Sequence, residues 1–530
     1  MKHLILLWAS LVLISKTYSQ SNLTWSRDFS TGLDNYYSKF PRIQEDADTL
    51  EVIGRKNTPN GQRLLVVKYN LLGDTISTKT FGNNIVVNNE IIDYKFDSLD
   101  NIYILNKEKI GFYKSKIILQ KYSLDGNLIW VEQIQNTADT SYTPVSLGLM
   151  TDSVIFFTAY EEYDYPITPG DVINTTTLSQ LYAYHSDGIQ LWKRELDPST
   201  EINSFSDVLY VHNSSAFVFG VNSSNNFRIV KVDINNNLTI NSNTGILNGV
   251  SDVQITPDNN LLITADFGKY RISKVNLNGS LIWTQDYASN LPINVVADEI
   301  NAITQDSLGN IYITGRHYGM NYGTSSYTNA DILTLKYDSS GNLIWQNRYE
   351  YGINNADIAN TLTLKNGQVY VGGNSQRLGV ETDYDYVVLK IDATTGLSTG
   401  VYRYNGLADG DEAVTSLCVF DNGSLALTGL SYMDTQFGWT TQYLKDVTLS
   451  APALEEESKL RIFPNPASET LTISLPENAA TTDCILVDNA GKEVKRFVVS
   501  SGENLVDISE LESGIYLIQI NSQISKLIKN

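Results

Sequence analysis

A segment that recurs along the chain constrains its fold more than any other feature. The clearest copy is DSLGNIYITG (residues 306–315), followed by ILTLKYDSSGNLIWQNRY (residues 332–349). Ile311, Ile313 and Gly315 alternate with Tyr312 and Thr314, the period of a strand buried on one face. A second strand runs from Ile332 to Tyr337 into Asp338-Ser339-Ser340-Gly341-Asn342, and a third runs from Leu343 to Tyr349. The aspartate opening this turn can cap its backbone, and Gly341 supplies the positive φ that closes a tight hairpin. Each unit reads as a meander of short antiparallel strands.

Copies of the leading strand occur at residues 101–105, 154–158, 216–220, 261–265, 369–373 and 425–429, with a fainter one at 50–54. The hairpin returns as YSLDGNLIW (122–130), YHSDGIQLW (184–192) and VNLNGSLIW (275–283). Degenerate forms are YNLLGDTIS (69–77), VDINNNLTI (232–240) and IDATTGLSTG (391–400). About eight units at a spacing of roughly 45–60 residues fit four-stranded propeller blades, or seven if one faint unit is an excursion. The expected fold is therefore all-β: an about eight-bladed propeller over residues 20–447. Trp130, Trp192, Trp283 and Trp345 each stand four residues after the turn glycine. Identical register favours a packing role between neighbouring units over a set of sugar-stacking platforms.

The last unit lacks its final hairpin, and the start of the mature chain matches the missing strand. Asn22-Leu23-Thr24-Trp25-Ser26-Arg27-Asp28-Phe29 follows the pattern of Asn342-Leu343-Ile344-Trp345-Gln346-Asn347-Arg348-Tyr349. The N-terminal strand is expected to close the ring, which removes the free interface of an open array. On DSLGNIYITG, DSSGNLIW and the insertion YPITPGD (165–171), residues 22–447 resemble the SBBP family of β-propeller repeats of exported bacterial proteins. Units one, four and seven depart from that pattern in lacking the tryptophan.

Residues 1–19 read as a signal peptide. Lys2 and His3 precede the apolar run 4–14, and Thr17 and Ser19 suit a cleavage site before Gln20. That run is too short to span a bilayer well, nothing later approaches ~20 apolar residues, and no nearby cysteine suggests a lipid anchor. A soluble mature chain without a transmembrane segment is expected. Residues 448–458 form an acidic, proline-containing linker.

Residues 459–530 carry short strands and turns that suit a small Ig-like β-sandwich. They resemble the type A sorting domain of the Bacteroidetes type IX secretion system. The matching positions are Pro464, Asn465 and Pro466, then Asp488 to Lys492 with Gly491, then Gly514 and Tyr516, then Lys526 and Lys529. The resemblance implies export by that machinery, removal of the domain, and release or surface attachment of the remainder.

A net charge of -21 and the absence of a dense basic run exclude a nucleic-acid partner. Cys418 and Cys484, in separate domains, argue against a disulfide frame or a cysteine metal cluster. His185, His212 and His317 come from different units, with no zinc-site spacing. Asp298, Asp357, Asp411 and Glu412 precede or open the inner strands, and Asp207 and Asp252 stand in comparable contexts. They are expected to rim a central channel, either as backbone caps or as a cation or acid–base site. No cofactor is expected; calcium is the cation such a rim would take.

Insertions at 160–179 and 316–330 bring Tyr160, Tyr163, Tyr165, Tyr318, Tyr322 and Tyr327, which suit ligand stacking or backbone shielding equally. The leading reading is a non-enzymatic surface or secreted module binding glycan or protein. The rival is a polysaccharide lyase or hydrolase using the rim carboxylates. Quinone-dependent dehydrogenases, whose blades also interlock through tryptophan, commonly carry an adjacent cysteine pair, which is missing here. Convergence of Asp298, Asp357, Asp411 and His317 would favour catalysis, and dispersed caps would favour binding.

Overall fold

A computed structural model describes residues 23–529 apart from 34–41, 47–48, 83–88, 111–113, 136–139, 151–152, 166–173, 242–249, 267–268, 288–297, 322–325, 352–354, 378–382, 406–409, 434–435, 445–460, 464–466, 476–480, 489–492 and 521–522. The segments read as a signal peptide (1–19) and a linker (448–458) lie outside the described residues. So do Tyr322, Pro464, Asn465, Pro466, Gly491 and Lys492, and the side chains of Asp207, Tyr165 and Tyr327. All regular structure among the described residues is β-strand, and no helix is long and apolar enough to cross a membrane.

The repeat region is a series of four-stranded antiparallel meanders. Sheet 1 runs from Arg42–Asp46 to Thr75–Phe81 and sheet 2 from Asn89–Phe96 to Leu128–Ile134. One parallel bridge, Gly61 to Asn89, joins those two. Sheets 3 to 7 begin at Thr140–Met150, Ser204–His212, Val250–Ile255, Glu299–Gln305 and Asp357–Lys365. Sheet 8 takes Glu412–Val419, Leu425–Met433 and Gln436–Leu444, and its fourth strand is Leu23–Leu33. In that pairing Trp25 lies opposite Tyr443, their rings stacked 6.0 Å apart. The strand of each clear copy is thus second in its sheet: Ile311–Asn321 follows an inner strand, Glu299–Gln305.

Two local devices recur along the repeat region. At one end, the turn end, Asp338 Oδ1 accepts the N–H groups of Ser340 and Asn342 at 2.9 and 2.8 Å, and Gly341 has a φ of 87°. Hydrogen bonds from the side chain and backbone of Asn342 hold the Asp338 carboxyl below the usual carboxylate range. At the other end, the loop end, a register shift bulges the inner strand of each sheet but the first. In sheet 6 it falls between Ile300 and Ala302, opposite Gly315. A Cβ on Gly315 would meet the Glu299 carbonyl oxygen, so the bulge needs glycine there.

The tryptophans pack between sheets, as the register argument required. Trp130 Nε1 donates to Ser186 O of the next sheet at 3.0 Å, Trp192 to Ile234 O at 2.8 Å and Trp345 to Ala393 O at 3.1 Å. Trp25 donates to Leu71 O at 3.0 Å, which fastens sheet 8 to sheet 1. The acceptor is always the second residue of the neighbouring turn. The residue two places on adds a second bond in three cases: Arg27 to Gly73 O at 2.8 Å, Arg194 to Asn236 O at 3.4 Å and Asn347 to Gly396 O at 2.8 Å.

Two of the three units without the indole follow the same rule. Sheet 1 lacks the indole, and Lys79 donates to Leu124 O at 2.9 Å in its place. Sheet 7 has Gly400 at this position, facing a sheet whose third and fourth strands share no turn. Clusters of buried side chains drawn from adjacent sheets fill the gaps, including one in which Trp25, Tyr443 and Trp439 join Leu50, Val52 and Leu65.

The C-terminal unit has its own core. A three-stranded sheet with Thr470–Leu475 at its centre and a four-stranded one containing Thr482–Val487 and Gly514–Ile520 share buried Leu471, Ile473, Cys484, Leu486, Ile518 and Leu527. Burial pushes the Cys484 thiol up to about 12, and neither cysteine forms a disulfide. Tyr516 is buried and its hydroxyl donates to Glu512 O at 2.9 Å.

Trp345→Phe keeps most of the packing but loses the bond to Ala393, and should cost about 1 kcal/mol. Trp345→Ala should cost ~3–5 kcal/mol. Gly396→Ala, at a φ of 74° with its new Cβ 2.7 Å from the Trp345 ring, should also destabilise. Urea titration of the mature chain checks all three.

Candidate functional site

The bulges aim the first residues of the inner strands at the loop end, where sheets 6 and 7 assemble a dense polar group. Asp298 precedes the inner strand of sheet 6 and is buried. Its Oδ1 accepts the Tyr318 N–H at 2.9 Å, and its Oδ2 lies 3.1 Å from His317 Nδ1. His317 is carried beside it by the second strand, just beyond Gly315. Tyr287 and Tyr270 of sheet 5 meet the imidazole edge-on, with ring centroids 5.8 and 6.5 Å away.

On the outer side of sheet 6, Arg348 pairs with buried Asp331. Burial pushes the Asp331 carboxyl up to about 6, with Arg348 pulling it back and Glu350 adding to the rise. In sheet 7 the buried Asp357 accepts from Ser375 Oγ and from the Tyr351 N–H, the latter at 2.7 Å. Arg403 bonds to the same Ser375, donates to Asp385 Oδ2 at 3.0 Å, and stacks its guanidinium 3.6 Å over the Tyr351 ring. Burial drives Asp357 up to about 7 against the pull of Ser375 and Arg403, and Asp331 and Glu350 add to the rise. Burial likewise raises the Tyr349 phenol to about 12.

Of the four residues whose convergence would favour catalysis, only Asp298 and His317 come within bonding distance. Asp357 is bound to other partners, and Asp411 accepts the Tyr384 N–H at 3.3 Å. Glu412 is buried beside it at the start of its inner strand. Asp252 sits in a bulge and accepts the Val253 N–H at 2.7 Å. His185 and His212 stand apart, near Asp187 at 2.8 Å and Asn259 at 2.9 Å. Among the described residues no group of three or more His, Cys, Asp or Glu is placed to hold a metal ion.

The tyrosines divide. Tyr160 is half-buried, packs on Phe205 with ring centroids 5.2 Å apart, and accepts the Phe205 N–H at 2.7 Å. Tyr163 joins Lys193 and Tyr142 around buried Glu161; burial alone would raise that carboxyl, but the three partners lower it. Tyr318 is half-buried, with the Arg316 guanidinium 5.8 Å over its ring.

Sequence reasoning missed Tyr287, Asp331, Arg348, Tyr351, Ser375 and Arg403. A signal was present: the outer strands end in Asp286-Tyr287, Arg348-Tyr349 and Arg403-Tyr404. Each charge meets its opposite on the preceding strand, as Arg271–Asp286, Asp331–Arg348 and Asp385–Arg403.

Residues 461–530 match the family described as secretion system C-terminal sorting domain. A chain bearing such a domain is secreted or attached at the outer-membrane surface. No curated protein is significantly similar to the chain. Among solved structures, the Dos1 propeller is 10% identical, covering 80% of this chain and 96% of its own, with a TM-score of 0.45. Puromycin hydrolase is 14% identical over 84% of this chain and 65% of its own, at 0.40. Virginiamycin B lyase from Staphylococcus aureus is 11% identical over 66% and 95%, at 0.36.

The raised carboxyls fix the sign of a pH effect. Asp331 and Asp357 hold their protons more tightly folded than unfolded, so their contribution is greatest in acid. It is lost as pH climbs through about 6 and about 7. Melting curves of the mature chain should show a fall in Tm between about pH 5 and about pH 8, and Asp357→Asn should reduce that fall by a few degrees.

Proposed function

We propose that the chain is an eight-bladed β-propeller of SBBP-like repeats, closed by its N-terminal strand and exported through the type IX machinery by its C-terminal domain. At the cell surface or released from it, the propeller binds a glycan or a protein through the loop end of sheets 5 to 7. What carries the binding reading is the employment of the rim carboxylates. Asp298, Asp357 and Asp411 each accept a backbone N–H from the loop end, and Asp331 and Asp385 are matched by arginines. Groups spent on positioning backbone make a rigid platform and do not form a pooled acid–base centre.

The platform suits a polar, extended ligand. Tyr287, Tyr318, Tyr351 and Tyr384 are half-buried and Arg348 is exposed, so flat faces and donors remain within reach of solvent. Aromatic side chains and arginine carry binding energy at low entropic cost, and a fixed backbone lowers the cost of ordering a loop on binding. Closure and blade number draw support from the pairing of Leu23–Leu33 with Gln436–Leu444 and from the Trp25 bond to sheet 1.

Two measurements test this reading. A glycan array and a surface-protein pull-down with the mature chain should give a ligand whose affinity drops at least ~10-fold in Tyr318→Ala and Tyr384→Ala. Retained affinity in both variants would move the site elsewhere. Deleting residues 459–530 should leave the chain inside the outer membrane, as cell fractionation would report.

A further inference from the structure

Among the described loop-end groups, His317 has a placement that exceeds what a positioning role needs. We propose that His317, oriented by Asp298 and flanked by Tyr287 and Arg348, abstracts a proton from an acidic glycan and cleaves it by β-elimination. This step rests on the reading that the loop end is the ligand face, and goes beyond binding.

The geometry supports each role. Asp298 is 1% exposed and its other oxygen is held by the Tyr318 N–H, so the carboxylate is fixed toward Nδ1. With the Nδ1–H donated to Asp298 Oδ2, the basic lone pair is at Nε2, the arrangement that makes an imidazole a general base. The His317 side chain is 11% exposed, buried enough to be held in place and open at one part of its surface. Tyr287 stands edge-on to the ring and gives its own proton to Gln346 Oε1 at 2.7 Å. Burial raises its phenol, with Arg348 opposing and Asp298 adding, so it stays protonated and able to serve as an acid.

Arg348 has 42% of its side chain exposed although it pairs with Asp331. A guanidinium carries five donors, so one edge can hold Asp331 while the other takes a substrate carboxylate. Arg316, paired with Glu299 and lying 5.8 Å over the Tyr318 ring, adds a further cation at the loop end of a chain whose overall charge is -21.

The bonds balance without an added reactant. Nε2 takes the proton on the carbon next to the uronate carboxylate, and that C–H pair forms a new carbon–carbon double bond. The bond from the adjacent carbon to the glycosidic oxygen breaks, and the Tyr287 proton passes to that oxygen. Arg348 stabilises the charge that builds on the carboxylate. The products are an unsaturated uronate end and a new hydroxyl; solvent takes the extra proton from His317 and returns one to Tyr287. The carboxylates have no reacting role, which separates this site from a hydrolase built on paired acids.

The test incubates the mature chain with polymannuronate, polyguluronate, polygalacturonate and a glucuronate-rich glycan, and reads the ultraviolet absorbance of the unsaturated product. Product should appear with at least one polymer. His317→Gln and Tyr287→Phe should each lower the rate at least ~100-fold, with unchanged circular dichroism. Asp298→Asn should lower kcat more than it raises KM, and activity should decline in acid. No product from any of the four polymers, or a rate unchanged in His317→Gln, overturns the proposal. Binding without elimination overturns it while leaving the binding reading intact; loss of both binding and product removes that reading too.

Discussion

An indole that donates its proton to the turn of a neighbouring sheet joins two repeats whose strands are almost everywhere unpaired with one another. Apart from the single bridge between Gly61 and Asn89, no backbone ladder among the described residues connects one meander to the next. The sheets are therefore held by side-chain packing and by bonds such as Trp130 to Ser186 and Trp345 to Ala393. The bond fixes distance and orientation together, because the indole fills a gap while its N–H has a single partner. The turn glycine is selected twice over, by its positive φ and by the ring pressed against it. Where the partner turn is missing, before sheet 8, the indole is missing too.

A second constraint acts at the opposite end of each sheet. A strand that bulges beside a glycine bends and re-aims the residues ahead of it. Asp298 and Asp357 reach their backbone partners from that position, and His317 follows directly on Gly315. The acidic set at the loop end is thus a product of repeated backbone geometry before it is anything chemical.

The meander, the turn chemistry, the packing role of tryptophan and the pairing of Trp25 with Tyr443 were legible because each depends on local pattern or identical register. The inner strand was harder to place, since strands such as Glu299–Gln305 are polar and half-exposed and show weak alternation. The candidate site was legible only in part. Asp298 and His317 could be named from their positions, but their contact depends on a bulge that sequence does not announce. Arg403 and Ser375 were invisible as partners of Asp357, because they come from later strands of one sheet and converge only through its pleat. For Tyr160 the sequence left ligand stacking and backbone shielding equal, because the acceptance of the Phe205 N–H by its hydroxyl depends on a strand 45 residues on.

The strand Leu23–Leu33 has a consequence for the order of assembly. Thr440 Oγ1 donates to Asp28 across 412 residues, whereas every other sheet is built from one short stretch of chain. Loop-closure entropy makes so distant a pairing slow to form. A growing polypeptide can complete seven meanders as it emerges, but it must keep its first strand waiting, unsatisfied along both edges, until the last one has been made. Within the repeat region, the strand made first is thus the last to find its partner.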